Sequence, residues 1–177
     1  MIRTISIALV IFAASAAPAQ DDILKRAINQ PGLNYNVSGA AQTTKRIKDS
    51  GVVGGQALRV QVSEKGPENY SVQAVSPLSK PIVKGHRIVV AVWARAPKLT
   101  GDATTPIPFF GVIGPAPGYA TVASGPAQVG AAWKLYDVKG VAPSDFAADA
   151  ATVVVHLAGA KAVIDLGPVF VIDLDAT

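Results

Sequence analysis

The residues of this chain best suited to chemistry are a few aromatic side chains with amide or guanidinium groups close by in sequence. Flat apolar rings stack on the C–H faces of pyranose sugars, and planar amides and guanidinium groups hydrogen-bond to paired hydroxyls. The residues with these properties are Tyr70, Gln73, Trp93, Arg95 and Tyr119. Their chemistry predicts binding of a polyhydroxylated ligand.

Each aromatic also has an interpretation that needs no ligand. Tyr70 and Tyr119 lie among turn residues, where a ligand contact and a solvated ring fit the sequence equally well. Trp93, Trp133 and Tyr136 lie in strand-like runs, and there the sequence favours a framework role because buried aromatics dominate sandwich cores. Both interpretations stay open at this stage.

Metal-ligating residues are sparse. Asp173 near the last apolar run, together with Asp21 and Asp22, could supply oxygen ligands to a structural calcium ion. Their spacing favours the alternative, in which these aspartates are solvated charges near the chain termini. His156, within TVVVHLAG, is predicted to be a strand histidine rather than a metal ligand, because the chain has two histidines in all.

Catalytic patterns are missing from the sequence. A glycosidase needs two carboxyl groups about 5 to 10 Å apart in a cleft. The two glutamates, Glu64 and Glu68, flank Lys65-Gly66-Pro67 in a predicted turn and are expected to be solvated. The sequence has no G-x-S-x-G motif, no phosphate-binding loop and no cysteine. We therefore expect a protein that is not an enzyme.

The first 19 residues have the pattern of a signal peptide. Arg3 precedes an apolar run over residues 5–14, and Ala17-Pro18-Ala19 is a small-x-small cleavage site. Cleavage would leave a single domain over residues 20–177, and the protein is expected to be secreted or periplasmic. No later run is long enough to span a membrane, so no membrane span is expected.

The charge pattern bears on possible partners, and the cysteine content bears on the source of stability. The chain has 16 basic and 12 acidic residues and a net charge of +4. The basic residues are scattered except for Lys45, Arg46 and Lys48, which indicates a solvated surface and no nucleic-acid partner. Because cysteine is absent, stability must come from packing, with or without a bound ion, rather than from disulfides.

Short β-branched runs separated by Gly, Pro, Asn and Ser predict a many-stranded antiparallel protein. We expect helical turns near residues 22–28 and 144–150. Strands are expected over residues 34–39, 56–63, 70–75, 87–96, 107–113, 120–124, 133–139, 152–158 and 162–174. The last of these should break into two at Gly167-Pro168, because proline cannot donate to a central ladder.

The alternation of residues within each predicted strand indicates which side chains face the core and which face outward. In residues 87–95, Ile88, Val90, Val92 and Ala94 share one face, which is predicted to be core. The opposite face carries Trp93 and Arg95. The pattern of an apolar face and a polar face predicts an all-β sandwich of two antiparallel sheets, with one sheet face open to a ligand.

The order and spacing of these segments resemble a known family. The segments are GGQALRV, VQAVSP, KGHRIVVAVWARA, AAWKLYDVKG, and ATVVVHLAGAKAVIDLGPVFVIDL. They are similar to the carbohydrate-binding modules of families four, nine and twenty-two, especially those attached to bacterial xylanases. The resemblance extends over about residues 30–174. It implies a galactose-binding-like jelly roll that is not catalytic, lays xylan or glucan along a concave sheet, and in many members carries structural calcium.

The resemblance also implies roles for particular residues. Tyr70 corresponds to a loop aromatic, Gln73 to a polar groove residue and Tyr119 to the aromatic of a rim loop. Tyr136 and His156 correspond to floor positions. The expected function is a secreted module that binds a β-linked polysaccharide and targets a glycoside hydrolase, or the cell, to it.

Two other functions remain open from the sequence. One is a structural or interaction domain of the cell envelope that keeps the jelly roll without binding sugar. The other is the targeting subunit of an enzyme encoded elsewhere. Aromatic residues make up 6% of the chain, and several are needed in the core. The number left on the surface therefore separates a sugar-binding module from a structural domain.

Overall fold

The fold is built from β-strands over residues 24–176, which is the part of the chain that the computed structural model describes. One short 3-10 helix, Asn69–Ser71, interrupts them. The strands are β1 (Asn36–Ser38), β2 (Gln42–Lys48), β3 (Gln56–Val62), β4 (Gln73–Pro77), β5 (Arg87–Arg95), β6 (Thr105–Ile113), β7 (Thr121–Val129), β8 (Lys134–Val141), β9 (Thr152–His156) and β10 (Ala162–Asp173).

These strands form two five-stranded antiparallel sheets. Sheet I has the order β1-β4-β9-β6-β7, and sheet II has the order β2-β3-β10-β5-β8. Neighbours within each sheet are mostly distant in sequence, as in a jelly roll, where the chain crosses repeatedly between two packed layers. The prediction of an all-β sandwich with two antiparallel sheets is confirmed.

The core lies between the sheets and follows the alternation in the sequence. In β5, Ile88, Val90, Val92 and Ala94 are all at most 2% exposed. In sheet I, the inward positions of β9 are Val153 and Val155, and both are fully buried. Other inward side chains that complete this cluster are Val60, Val62, Val72, Ala74, Ile107, Phe110, Val112, Val122, Ile164, Leu166, Val169 and Val171.

One strand of sheet II was not predicted. Residues 42–48 form β2, which pairs along its whole length with β3. Its sequence, QTTKRIK, is largely polar, and five of its seven residues are exposed. An edge strand is protected from further pairing by charged side chains. The basic cluster that indicates a solvated surface is therefore also a strand.

Among the predicted strands, β4, β7 and β10 show the most informative differences from the predicted bounds. β4 begins at Gln73 because residues 69–71 form the 3-10 turn. β7 extends to Val129 through Gly125-Pro126, since proline is tolerated at the edge of a sheet. β10 is continuous, so the prediction of two segments is wrong. A register shift between Leu166 and Val169 accommodates Gly167-Pro168 as a bulge.

The first described residues add a further partner to β10. Leu24 and Lys25 form a helical turn, and the chain then runs alongside the second half of β10 through a bridge between Ala27 and Ile172. The Asn29 side chain accepts a hydrogen bond from Val171 N (2.8 Å). The predicted leader over residues 1–19 lies outside the described residues. Within residues 24–176, no helix is long and apolar enough to cross a membrane.

A buried ion-pair network ties the central strands of sheet II together on the outer face. The Asp165 side chain is 0% exposed and lies between two guanidinium groups. Arg59 binds both of its oxygens, at 2.7 and 2.8 Å, and Arg95 Nε donates to Oδ2 at 2.9 Å. Arg95 also pairs with Asp49. The hydrogen bond to Asp165 raises the pKa of Arg59.

We expect removal of the central carboxylate to be costly. Asp165→Ala leaves two partly buried cations without their partner, and breaking a buried pair in this way costs about 3 to 5 kcal/mol. The matched control is Asp137→Ala on the same face, because Asp137 pairs with Lys139 at 3.9 Å and both side chains are more than half exposed. That change should cost less than about 1 kcal/mol. Chemical denaturation of the two variants compares them, and equal losses would contradict a structural role for the network.

Candidate carbohydrate-binding face

The outer face of sheet I carries a row of ring and amide side chains. Gln73, His156 and Phe109 lie directly opposite one another on β4, β9 and β6. His156 stacks on Phe109, with ring centroids 4.8 Å apart and planes 28° apart. Tyr70 meets the His156 ring edge to face, with centroids 5.9 Å apart. Tyr70 remains 58% exposed, so this row presents an aromatic surface to solvent.

The loop that carries Tyr70 is anchored to the end of β9. Gly66 N donates to Ala158 O, and Ala158 N donates to Asn69 O. Glu68 N donates to the Ser71 hydroxyl at 3.2 Å, which closes the turn around Tyr70. A Cβ on Gly66 would lie 2.7 Å from Ser71 Cβ and 2.9 Å from Ala158 Cβ, so the close approach needs glycine. The aromatic is thus held beside His156 by backbone contacts.

The electrostatics of the row suit a neutral ligand. Its four side chains, Tyr70, Gln73, His156 and Phe109, include no carboxylate and no permanent cation. Burial of the imidazole lowers the pKa of His156, because desolvation disfavours the charged form. The ring is therefore neutral at neutral pH and can stack as an apolar surface with hydrogen-bonding edges.

An apolar floor continues along the strands from this row. Val75 and Val154 pair on β4 and β9, and Ile113 of β6 lies one step further along the same face. Val154 is 2% exposed although it lies outside the inter-sheet core. Polar side chains at the margins of this floor can hydrogen-bond to hydroxyls; they are Asn36, Ser38, Ser124 and Thr152. The face has the apolar centre and polar rim of a ligand surface.

Tyr119 lies beyond the other end of this face. It is in the β6–β7 connection, where Tyr119 N donates to Pro115 O and Gly114 N donates to Ala120 O. Its side chain is 57% exposed. Phe109 and Ile113 are separated by four residues of β6, so the row at Phe109 and the loop after Ile113 are about 13 Å apart along the strand. The loop of Tyr119 therefore lies at the opposite end of sheet I from the row.

Trp93 and Arg95 lie on the other side of the molecule. They face outward from the core as predicted, but from sheet II, so the structure does not bring them together with Tyr70, Gln73 and Tyr119. The β2–β3 connection folds over them, since a Cβ on Gly167 would lie 2.7 Å from both Trp93 Cβ and Val52 Cγ2. Val52 itself is 5% exposed. The prediction that Trp93 and Arg95 share a site with Tyr70, Gln73 and Tyr119 is wrong, because β5 belongs to the opposite sheet.

The guanidinium of Arg95 is already fully engaged. It pairs with Asp165 and Asp49, and it stacks over the Trp133 ring at 4.8 Å from the centroid. Tyr136, interpreted from the resemblance as a floor residue, donates its hydroxyl to Gln128 O at 3.0 Å and packs against the core. The stacking of Arg95 on Trp133 and the hydrogen bond of Tyr136 agree with the framework interpretation of these two aromatics.

The acidic residues proposed for calcium have other partners. Asp173 is 3% exposed and pairs with His86 Nδ1 at 2.8 Å. Its other oxygen accepts hydrogen bonds from Asp175 N and Ala176 N. Hydrogen bonds from Arg87 lower the pKa of Asp175. In residues 24–176 no group of three metal-ligating side chains is found, and Asp21 lies outside that range. Calcium binding therefore stays a prediction.

Phe109 is the residue of this face that the sequence analysis missed. It lies next to Phe110, and only one of two adjacent strand residues can face the core. Phe110 is 2% exposed, so Phe109 points outward. Alternation from Val112 back to Phe110 places Phe109 outward, but alternation from Ile107 places it inward, because a bulge between Ile107 and Phe110 shifts the register. His156, a predicted strand histidine, is a strand residue and a member of the row.

No protein-family model and no curated protein matches the chain. Solved structures do match. One described as "CBM4 structure and function" is 15% identical, with 85% of this chain and 99% of that chain covered and a TM-score of 0.56. The CBM22-1 xylan-binding domain of Xyn10C from Paenibacillus barcinonensis is 13% identical, with 86% and 94% covered and a TM-score of 0.55.

A third match lies within a larger chain. It is the CBM22-1–GH10 portion of the Clostridium thermocellum xylanase 10B, complexed with xylohexaose. It is 12% identical, has a TM-score of 0.59, and covers 84% of this chain but 29% of that one. The chain therefore spans under a third of that structure. At these identities the matches show the fold, which is that of carbohydrate-binding modules of the families that the sequence resembles.

The depressed pKa of His156 makes a pH prediction for this face. The imidazole has a lower pKa in the folded protein than its ordinary value of 6.5, so it favours the neutral form. Its contribution to stability is present above about pH 6.5 and is lost as the pH falls through the folded pKa. When the pH is lowered from about 7.5 to about 5, His156→Gln should lose less stability than the wild type, because glutamine does not become charged. Thermal unfolding at both pH values measures this, and parallel losses would contradict the desolvated ring.

Proposed function

We propose that this chain is a secreted or periplasmic, non-catalytic carbohydrate-binding module. Its ligand is a neutral β-linked polysaccharide such as xylan or glucan, which lies across the outer face of sheet I. The observation that carries the proposal is the row formed by Tyr70, His156, Phe109 and Gln73. It combines accessible ring surfaces with a planar amide on a face that has an apolar centre and a polar rim.

The length of the face supports a polymeric ligand. An apolar floor at Val75 and Val154 runs from the row toward the loop of Tyr119, about 13 Å along β6. Several sugar units of an extended chain fit over that distance, with Tyr70 and Tyr119 stacking near its ends. Similarity to modules whose described ligands are xylan and xylohexaose points to the same chemical class.

The distribution of carboxylates supports binding rather than hydrolysis. Glu64 and Glu68 are both exposed in the loop before the 3-10 turn. Asp165, which is fully buried, is neutralised by two arginines on the opposite sheet. Within residues 24–176, no pair of carboxylates faces the row on sheet I. The purpose of binding in this proposal is targeting, either of a glycoside hydrolase or of the cell.

Truncation of the most exposed aromatic tests the site. Tyr70→Ala should weaken binding to xylan or mixed-linkage glucan by about 1 to 3 kcal/mol, the range of a lost contact hot spot. Its melting temperature should hardly change, because the ring is 58% exposed. Retardation of native protein in polysaccharide affinity gels measures binding.

The control variant for this test is Leu135→Ala. Leu135 is a large apolar residue, 40% exposed, on the outer face of sheet II. Its loss should leave retardation unchanged. Normal binding by Tyr70→Ala would move the site away from this row. Absence of retardation for the wild type on xylan, cellulose and mixed-linkage glucan would reject the proposed function in favour of an envelope structural domain.

A further inference from the structure

A groove on the outer face of sheet II gathers cations from separate parts of the sequence. Next to the ion-pair network, a cavity of about 240 Å³ is lined by β2, β3, β10 and the loop after β5. Its cations are Lys45, Arg59 and Lys98. Lys45 and Arg59 lie directly opposite each other on β2 and β3, and Lys98 reaches the same cavity from beyond the end of β5.

The groove continues over one end of the sandwich. A second cavity, of about 500 Å³, shares Gln61, Lys98 and Val163 with the first and adds Lys161 from the β9–β10 turn. Four basic side chains therefore line the combined groove. In the described part of the chain, no aspartate or glutamate is among its lining residues. Asp165 lies behind Arg59 and is fully buried, so it does not offset the lysines at the surface.

The three lysines are available for a ligand. Within residues 24–176, Lys45, Lys98 and Lys161 form no ion pair with the protein, and all three are exposed. Arg59, in contrast, uses its guanidinium on both oxygens of Asp165. The unpaired charges of the groove are thus flexible point charges on lysines, which attract anions without the fixed fork that arginine offers.

The neighbouring polar groups indicate which anion fits. Thr43 on one side and Gln61 in the middle supply a hydroxyl and an amide group. The hydroxyls of Thr44 and Thr104 donate to Gln42 and Gln128, so their oxygens serve as acceptors. Among residues 24–176 no aromatic side chain lines the groove, whereas single-stranded nucleic acid is bound by aromatic stacking platforms. Polar partners of this kind and spaced point charges fit a hydroxylated polymer that carries carboxylates.

We propose that this groove is a second binding site, for an acidic polysaccharide whose sugars carry carboxylate groups. The proposal goes beyond the aromatic face, because it uses the opposite sheet, different residues and a charged ligand. The two sites would let one module hold neutral and acidic chains at the same time. Binding in the groove should weaken as salt rises, since exposed charges are screened within about 8 Å at physiological ionic strength.

The test compares a polyuronate with its neutral form. Wild-type protein should bind polygalacturonate and lose that binding when the carboxylates are methyl-esterified. The double variant Lys98→Gln/Lys161→Gln should bind polygalacturonate about tenfold more weakly, as expected from the loss of two exposed charge interactions. Its melting temperature and its retardation by xylan should match the wild type, because both lysines are exposed.

The matched control is Lys84→Gln/Lys139→Gln, which removes the same charge from exposed positions outside the groove. It should bind polygalacturonate as the wild type does. An equal loss in both double variants would show that net charge alone attracts the polymer and would overturn the site. Equal binding of the acidic and esterified polymers, or stronger binding of polyphosphate, would overturn the carboxylate ligand.

Tyr70→Ala separates this proposal from the previous one. If the groove is an independent site, this variant keeps its affinity for polygalacturonate while it loses xylan. If it loses the acidic polymer as well, and the lysine variant does not, the acidic ligand occupies the aromatic face and the groove proposal fails. If the wild type does not bind xylan, the function proposed for the aromatic face fails, but the comparison of polygalacturonate with its methyl ester still tests the groove.

Discussion

The salt-linked carboxylate of Asp165 is the constraint on which the outer face of sheet II depends. It lies on β10, fully buried, and is neutralised by Arg59 of β3 and Arg95 of β5, so it fixes three central strands of sheet II in register. The connection after β2 closes over the same region, with Asp49 on Arg95 and Val52 against Gly167. The aromatic and cationic groups there are thus used for the structure of sheet II. The corresponding face of sheet I keeps its rings accessible.

The inner sides of the strands supply the core between the sheets, so the outer side of sheet I, the proposed binding face, is free to carry apolar residues of its own. Alternation commits one side of each strand to the core, and in sheet I the opposite side carries Val75, Val154 and Phe109 as well as polar residues. Val75 and Phe109 are half-buried there, and accessible apolar surface of this kind marks interaction sites in proteins. Here the backbone contacts of the loop before β4 place Tyr70 at its end. The proposed site is therefore built from rigid strands plus one anchored loop, an arrangement that would lower the entropy cost of binding.

The sequence was sufficient for the fold where alternation was strong, and insufficient where the partner strand decides the outcome. The two faces of β5 follow directly from RIVVAVWAR. The edge strand β2 could not be recognised, because QTTKRIK has no apolar face and is stabilised by pairing with β3. Trp93 and Arg95 alternate with buried residues of β5 just as Gln73 does with those of β4. Which sheet each strand joins, and which loop covers it, is a long-range property absent from local patterns. For the same reason, the approach of Lys98 and Lys161 to Lys45 appears only in three dimensions.

The central claim is that sugar binds across the outer face of sheet I, and amide chemical shifts measured during titration with xylo- and cello-oligosaccharides test it most directly. The account predicts that the largest changes occur at Tyr70, Gln73, Phe109 and His156, with smaller changes near Tyr119. Residues on the outer face of sheet II, including Trp93 and Leu135, should stay unchanged. Changes that cluster on sheet II, or no changes with either series of oligosaccharides, would contradict the account.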